Sequence, residues 1–174
     1  MILAIQDANI LIDLHNAGVL ELYFRLGIET HTTDLVLREV LQPVEIFVLR
    51  GQLRVKTLSG DEMQALAMFM AEQPPSLSLE DCSVLQLAIQ MKAVLLTGDN
   101  KLRNHAEKNK VEARGVLWLL DLLVAETILD HATAKVCLER LLKSNPRLPA
   151  EECQKRLKMW ADGQQITPKK LSAK

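Results

Sequence analysis

A three-layer α/β/α domain with a central, mainly parallel sheet is the fold this sequence predicts, on three observations. Short runs of consecutive apolar residues stop abruptly at polar ones. Stretches with apolar residues spaced i, i+3, i+4 fall between them, and the two kinds of segment alternate along the chain. A strand covered on both faces has no polar side to show, so a continuous apolar run is what a buried parallel strand looks like. Strands alternating with helices then give a parallel sheet with helices on its faces.

The elements justify this in order. Ile2, Leu3 and Ile5 form a run that ends at Asp7 and is too brief for a helix. Val94, Leu95 and Leu96 repeat the pattern and end in Thr97-Gly98-Asp99-Asn100. A weaker strand over residues 28–32 precedes a helix over residues 34–41, apolar at Leu35, Val36, Leu37, Val40 and Leu41. Helical stripes occur at Leu20, Tyr23, Phe24; at Met63, Leu66, Ala67, Met70; at Val84, Leu85, Ala88, Ile89; and at Cys137, Leu138, Leu141, Leu142. These stripes read as core faces. Gln73-Pro74-Pro75-Ser76 breaks the chain between two helices, and the prolines of residues 145–149 set off a last helix over residues 150–161. The expected organisation is a main domain over residues 1–128, a helical extension packed on it over residues 129–162, and a disordered tail over residues 163–174.

Composition narrows the function classes. With 174 residues, the chain holds one ordinary core. The apolar start from Met1 is interrupted by Gln6 and Asp7 without a basic flank, so a secretory signal is not expected, and the expected location is the cytoplasm. The apolar stretch at residues 116–125 contains Asp121 and is shorter than the ~20 residues that cross a bilayer, so no membrane association is expected. Cys82, Cys137 and Cys153 are too widely spaced for a zinc site and read as reduced and buried. The four histidines show no metalloenzyme spacing, which leaves oxygen ligands and favours magnesium or manganese for any metal bound. Charge is uneven: residues 1–139 carry 12 basic and 19 acidic residues, whereas residues 140–174 carry 9 and 3. A basic end attracts polyanions, although a solvated tail is the commoner explanation and the favoured reading for Lys169, Lys170 and Lys174.

Four acids stand at informative places. Asp7 and Asp99 each follow an expected buried strand, so a parallel sheet brings both to one edge, where ligands usually bind. Carboxylates brought close together resist ionisation unless a cation or donors compensate. Asp81 falls in the first turn of the helix that feeds the Val94 strand, where the helix dipole favours an anion. Glu39 lies on the apolar helix over residues 34–41, so its carboxylate needs a partner. Each acid has a simpler reading. Ser78 and Asp81 have capping-box spacing, Asp7 and Asp99 are placed to cap the helices that follow, and Glu39 could pair with a basic residue.

In order along the chain, Asp7-Ala8-Asn9-Ile10-Leu11-Ile12, Thr33-Asp34-Leu35-Val36-Leu37-Arg38-Glu39-Val40, Leu79-Glu80-Asp81-Cys82-Ser83 with Leu87-Ala88, and Leu95-Leu96-Thr97-Gly98-Asp99 with Leu102 resemble the motifs of the PIN-domain family. The resemblance covers residues 2–125 and places the family's four acids on Asp7, Glu39, Asp81 and Asp99. It implies a metal-dependent ribonuclease, in many members the toxin of a toxin–antitoxin pair. Asp7, Asp81 and Asp99 would be direct ligands of magnesium or manganese, and Glu39 a fourth catalytic acid. Asn9 and Thr97 match the family's auxiliary polar positions. RNA as substrate, an antitoxin protein as partner and a homodimer are likewise what the resemblance implies. The chain looks like a longer form of the family with extra C-terminal helices, which would serve packing, partner binding, dimerisation or partial cover of the groove. Two rival classes are a PIN-like scaffold that binds RNA or protein without cutting, and a phosphotransfer or receiver-like domain. The second lacks support, because Asp7-Ala8-Asn9 has no second acid of an Asp-x-Asp nucleophile motif and no phosphate-binding Gly-rich loop is present. Arg103, one helical turn past Asp99, either faces substrate phosphate or is an ordinary surface arginine.

Overall fold

The computed structural model describes residues 2–40 and 44–171, so Met1, Leu41 and Lys174 lie outside the described residues. In chain order the elements are β1 (Leu3–Gln6), α1 (Ala8–Ala17), α2 (Leu20–Phe24), β2 (Glu29–Thr33), α3 (Asp34–Leu37), α4 (Glu45–Leu49), β3 (Leu53–Lys56) and α5 (Gly60–Ala71). They continue with α6 (Leu79–Met91), β4 (Val94–Leu96), α7 (Asn100–Lys108), β5 (Ala113–Arg114), α8 (Val116–Ala125), α9 (His131–Ser144) and α10 (Ala150–Ala161). Two compact units result, Met1–Leu11 with Gly27–Arg114, and Ile12–Leu26 with Gly115–Lys174.

The first unit holds one five-stranded sheet in the order β3-β2-β1-β4-β5, and every neighbouring pair is parallel. Helices flank it, which is the expected α/β class. β1 is central because Ala4, Ile5 and Gln6 are buried and the strand pairs on both edges, Ile5 lying opposite His31 of β2 and Leu95 of β4. The chain builds outward from β1 in one direction through β2 and β3, then returns to the other side for β4 and β5. The gap between β1 and β4 is therefore a topological switch point, and the carboxyl ends of such strands are where open α/β sheets bind ligands. α6 packs on β1, β2 and β4 and buries Cys82, Val84, Leu85, Leu87 and Ala88. It closes at Lys92, whose φ of 51° is left-handed, and Ala93 N–H then bonds Ala88 C=O at 3.0 Å. That tight exit delivers the chain directly into β4.

The structure corrects three expectations. The helix over residues 34–41 ends at Leu37, because the chain tightens into i, i+3 bonds, Glu39 N–H to Val36 C=O at 3.0 Å and Val40 N–H to Leu37 C=O at 3.2 Å. Glu39 is consequently exposed rather than carried on a buried helix. The stripe of α5 is not a continuous core face: Leu66 is buried, while Ala67 and Met70 are exposed, because α5 packs chiefly on α6. The strand expected over residues 28–32 runs one residue later, at Glu29–Thr33.

The second unit is helical. α9 packs on α8 and α10 and buries Ala134, Cys137, Leu138 and Leu141. A buried ion pair ties α10 to α8: Arg156 Nε donates to Asp121 Oδ1 at 2.9 Å and Nη2 to Oδ2 at 2.6 Å, while Nη1 donates to Glu152 Oε2 at 2.8 Å. Beyond Gly163, where the sequence reading expects disorder, the chain is described to Leu171 without regular structure. Ile166, Pro168 and Leu171 are half-buried there, and Trp118 Nε1 donates to the Lys169 carbonyl at 2.9 Å. All three cysteines are free and buried. No helix among the described residues is long and apolar enough to cross a membrane.

Candidate functional site

Asp7 occupies the switch point. It follows β1, its N–H bonds the Leu96 carbonyl at 3.0 Å, and its residue surface is 4% exposed. Its carboxylate is held by neutral donors: Thr97 Oγ1–H reaches Oδ2 at 2.9 Å and Asn9 Nδ2–H reaches the same oxygen at 3.2 Å. Burial pushes its pKa up to about 6; the hydrogen bonds from Thr97 and Asn9 pull against this, and the nearby Asp81 charge adds to the rise. Among the described residues no basic side chain pairs with Asp7. A buried carboxylate without a cation is costly for the folded chain.

Thr97, buried just past β4, joins Asp7 to the next acid. Its hydroxyl gives its proton to Asp7 and accepts the Asp99 N–H at 3.0 Å. Asp99 caps α7, its Oδ1 taking the N–H groups of Lys101 at 2.6 Å and Leu102 at 3.0 Å. Asp81 closes the capping box of α6: its Oδ2 accepts Ser78 N–H at 2.9 Å and its own N–H bonds Ser78 Oγ at 3.1 Å. The caps foreseen at Asp81 and Asp99 are thus present, yet each uses a single carboxylate oxygen. A carboxylate has about four acceptor positions, so capping leaves the other oxygen for a further ligand.

Glu39 stands on the exposed turn after α3. Partial burial raises its pKa, and the charges of Glu80 and Asp81 add to the rise. The structure thus joins Asp99 to Asp7 through Thr97, and Asp7 and Glu39 each lie close enough to Asp81 for its charge to add to the rise of their pKa. It does not gather them into a closed cage, since among the described residues no group of three His, Cys, Asp or Glu is placed to hold a metal ion. Their donor chemistry still fits a hard divalent cation. Every donor is an oxygen, and the negative charges lack a cationic partner at Asp7.

Two residues bear on the site in ways the sequence did not reveal. Glu80 adds a fifth acid beside Glu39, a proximity between segments that no local pattern announces. Arg103, read as phosphate-facing or superficial, is instead half-buried and donates from Nη2 to the Thr97 carbonyl at 3.1 Å, bracing the loop that carries Thr97 and Asp99.

Comparison with known proteins bears on the family of the chain. A family model described as PIN domain matches residues 3–162, a span that takes in the C-terminal helices as well as the sheet. Over 93 residues, 52% of this chain, the sequence is 29% identical to endoribonuclease Nob1 of Methanocaldococcus jannaschii. The chain spans about half the length of that relative, 47% of it. With the motifs in order, the parallel sheet and a family match over nearly its whole length, the chain belongs to the PIN-domain family.

Proposed function

We propose that this protein is a magnesium- or manganese-dependent endoribonuclease that hydrolyses phosphodiester bonds. The observation that carries the reading is Asp7: a carboxylate buried at the sheet's switch point, without a basic partner, beside a second acid and tied through Thr97 to a third. In this reading Asp7, Asp81 and Asp99 hold the ion, Glu39 orients the attacking water, and Thr97 and Asn9 fix the Asp7 rotamer. The bound ion supplies Lewis acidity, activating water for attack at phosphorus and balancing the phosphate charge. RNA as substrate is supported by family membership and by the similarity to an endoribonuclease.

The test is incubation of wild type and Asp7→Asn with labelled single-stranded RNA in magnesium, manganese or chelator. Wild type should cut in either metal and stop in chelator. Asp7→Asn should lose more than the ~10–100-fold that removing an outer-shell partner costs. Cleavage that survives chelator or the substitution would sink the metal mechanism. A second reading, a silent scaffold that binds RNA or protein, is favoured by one observation, the lack of any ready three-residue ligand group among the described residues. It predicts no cutting across a broad RNA panel and no metal uptake by calorimetry. The biological role as a toxin, with an antitoxin partner and a homodimeric state, extends the proposal. A small DNA-binding protein encoded beside this gene would support the pairing, and sedimentation measures the oligomer.

A further inference from the structure

A chain of hydroxyls joins the segment that carries Glu39 to the segment that carries Asp81. Ser83 Oγ lies 2.7 Å from the Glu80 carbonyl, an acceptor only, so the single Ser83 proton is committed there. Thr33 Oγ1 lies 2.8 Å from Ser83 Oγ, and with the Ser83 proton engaged Thr33 must be the donor. Thr33 in turn accepts Val36 N–H at 3.3 Å as the cap of α3. The direction is therefore fixed along the whole path: Val36 N–H to Thr33, Thr33 O–H to Ser83, Ser83 O–H to Glu80. Both hydroxyl residues are buried, at 0% and 3% exposure, so water does not compete for these bonds.

The ends of this path sit beside the acids. Val36 C=O receives the Glu39 N–H at 3.0 Å, which anchors the turn that presents Glu39. Glu80 directly precedes Asp81 in the first turn of α6. The neighbouring Thr32 hydroxyl donates to the carbonyl of Gln6 at 2.8 Å, the residue before Asp7. Two consecutive threonines at the end of β2 thus brace the segments that carry Asp7, Asp81 and Glu39.

We propose that Thr33 and Ser83 are positioning residues, whose buried hydroxyl bridge sets the spacing of Glu39 and Asp81. The inference rests on the reading of those acids as a metal site. Metal-ligating groups displaced by loss of their supporting hydrogen bonds typically lose ~10–100-fold in affinity. Thr33→Val keeps the shape of the side chain and removes both the donor and the α3 cap. Ser83→Ala removes the acceptor and leaves that cap in place.

The decisive measurement is Mn2+ binding to the full chain by calorimetry without RNA, beside thermal melting and the split of any cleavage loss between kcat and KM. Both variants should fold and weaken Mn2+ binding at least about tenfold. The cleavage loss should fall on kcat, and Thr33→Ser should restore both. A purely structural bridge would lower the melting temperature and leave Mn2+ affinity of the folded protein at the wild-type value, which overturns the inference. Should Thr33→Val fail to fold, Ser83→Ala carries the test. Wild type that binds Mn2+ without cutting RNA defeats the nuclease reading, while the Mn2+ comparison still decides this one. Wild type that takes up no Mn2+ defeats both.

Discussion

Asp7 and Asp121 are both buried aspartates, and the protein treats them in opposite ways. Asp121, in the helical unit, is clamped by two donors of Arg156. Burial pushes the Asp121 carboxyl up while Arg156 opposes it. On the other side of the pair, burial pulls the guanidinium down, but the carboxylates of Asp121 and Glu152 outweigh it and leave its pKa raised. Asp7, in the sheet unit, receives only neutral donors among the described residues and has another acid nearby. A charge whose task is to hold helices together brings its own counter-ion. One whose charge is left unbalanced inside the chain is suited to balance from outside it.

The sharpest way to break this comparison is Asp121→Ala. Removing one member of a buried pair costs about 3–5 kcal/mol. The low end is expected, because Glu152 still contacts Arg156. Urea unfolding followed by circular dichroism measures the loss, and RNA cleavage by the folded variant should equal wild type. A drop in cleavage as deep as that of Asp7→Asn would erase the distinction between the two aspartates.

The next effect has the opposite sign. Asp7 has its folded pKa raised from the ordinary 3.8 to about 6, so the folded state holds the proton more tightly than the unfolded one. The stability linked to that proton is fully present below pH ~4 and is lost as pH rises through ~6. At ~1.36 kcal/mol per unit the loss is about 3 kcal/mol. Asp7→Asn should therefore be more stable than wild type near pH 7.5 in chelator, with the difference vanishing towards pH 4. Asp13, whose pKa burial also raises, titrates in both proteins, and the subtraction removes it. An Asp7→Asn variant less stable than wild type at neutral pH would show that the charge at Asp7 is not a cost.

The smallest effect belongs to Trp118→Phe, which removes the hydrogen bond to the Lys169 carbonyl. It should lower stability by about 1 kcal/mol and leave cleavage unchanged. A larger loss would mean that the segment after Gly163 contributes more than this one bond.

What the sequence disclosed follows the same division between local and distant causes. β1 and β4 were legible because buried parallel strands are apolar without interruption. β3 is an edge strand and β5 has only two residues, so pairing rather than composition defines them. Asp7 and Asp99 were placed by their strand ends, and the Ser78–Asp81 cap by its spacing. Glu39 was set on too long a helix because Val40 continues the apolar rhythm while the backbone turns away. Thr33 and Ser83 are 50 residues apart and Asp121 and Arg156 are 35 apart, so neither pairing leaves a trace in the one-dimensional pattern.

The division into two units also distributes the chromophores. Trp118, Trp160 and the single tyrosine, Tyr23, all lie in the unit made of Ile12–Leu26 and Gly115–Lys174. Tryptophan and tyrosine emission therefore originates entirely outside the unit that carries Asp7, Glu39, Asp81 and Asp99. A fluorescence melt of the natural chain is a direct record of the helical unit, and the acid-bearing sheet is dark to it. One tryptophan introduced at the half-exposed Phe69 of α5 would give the sheet unit an optical signal of its own.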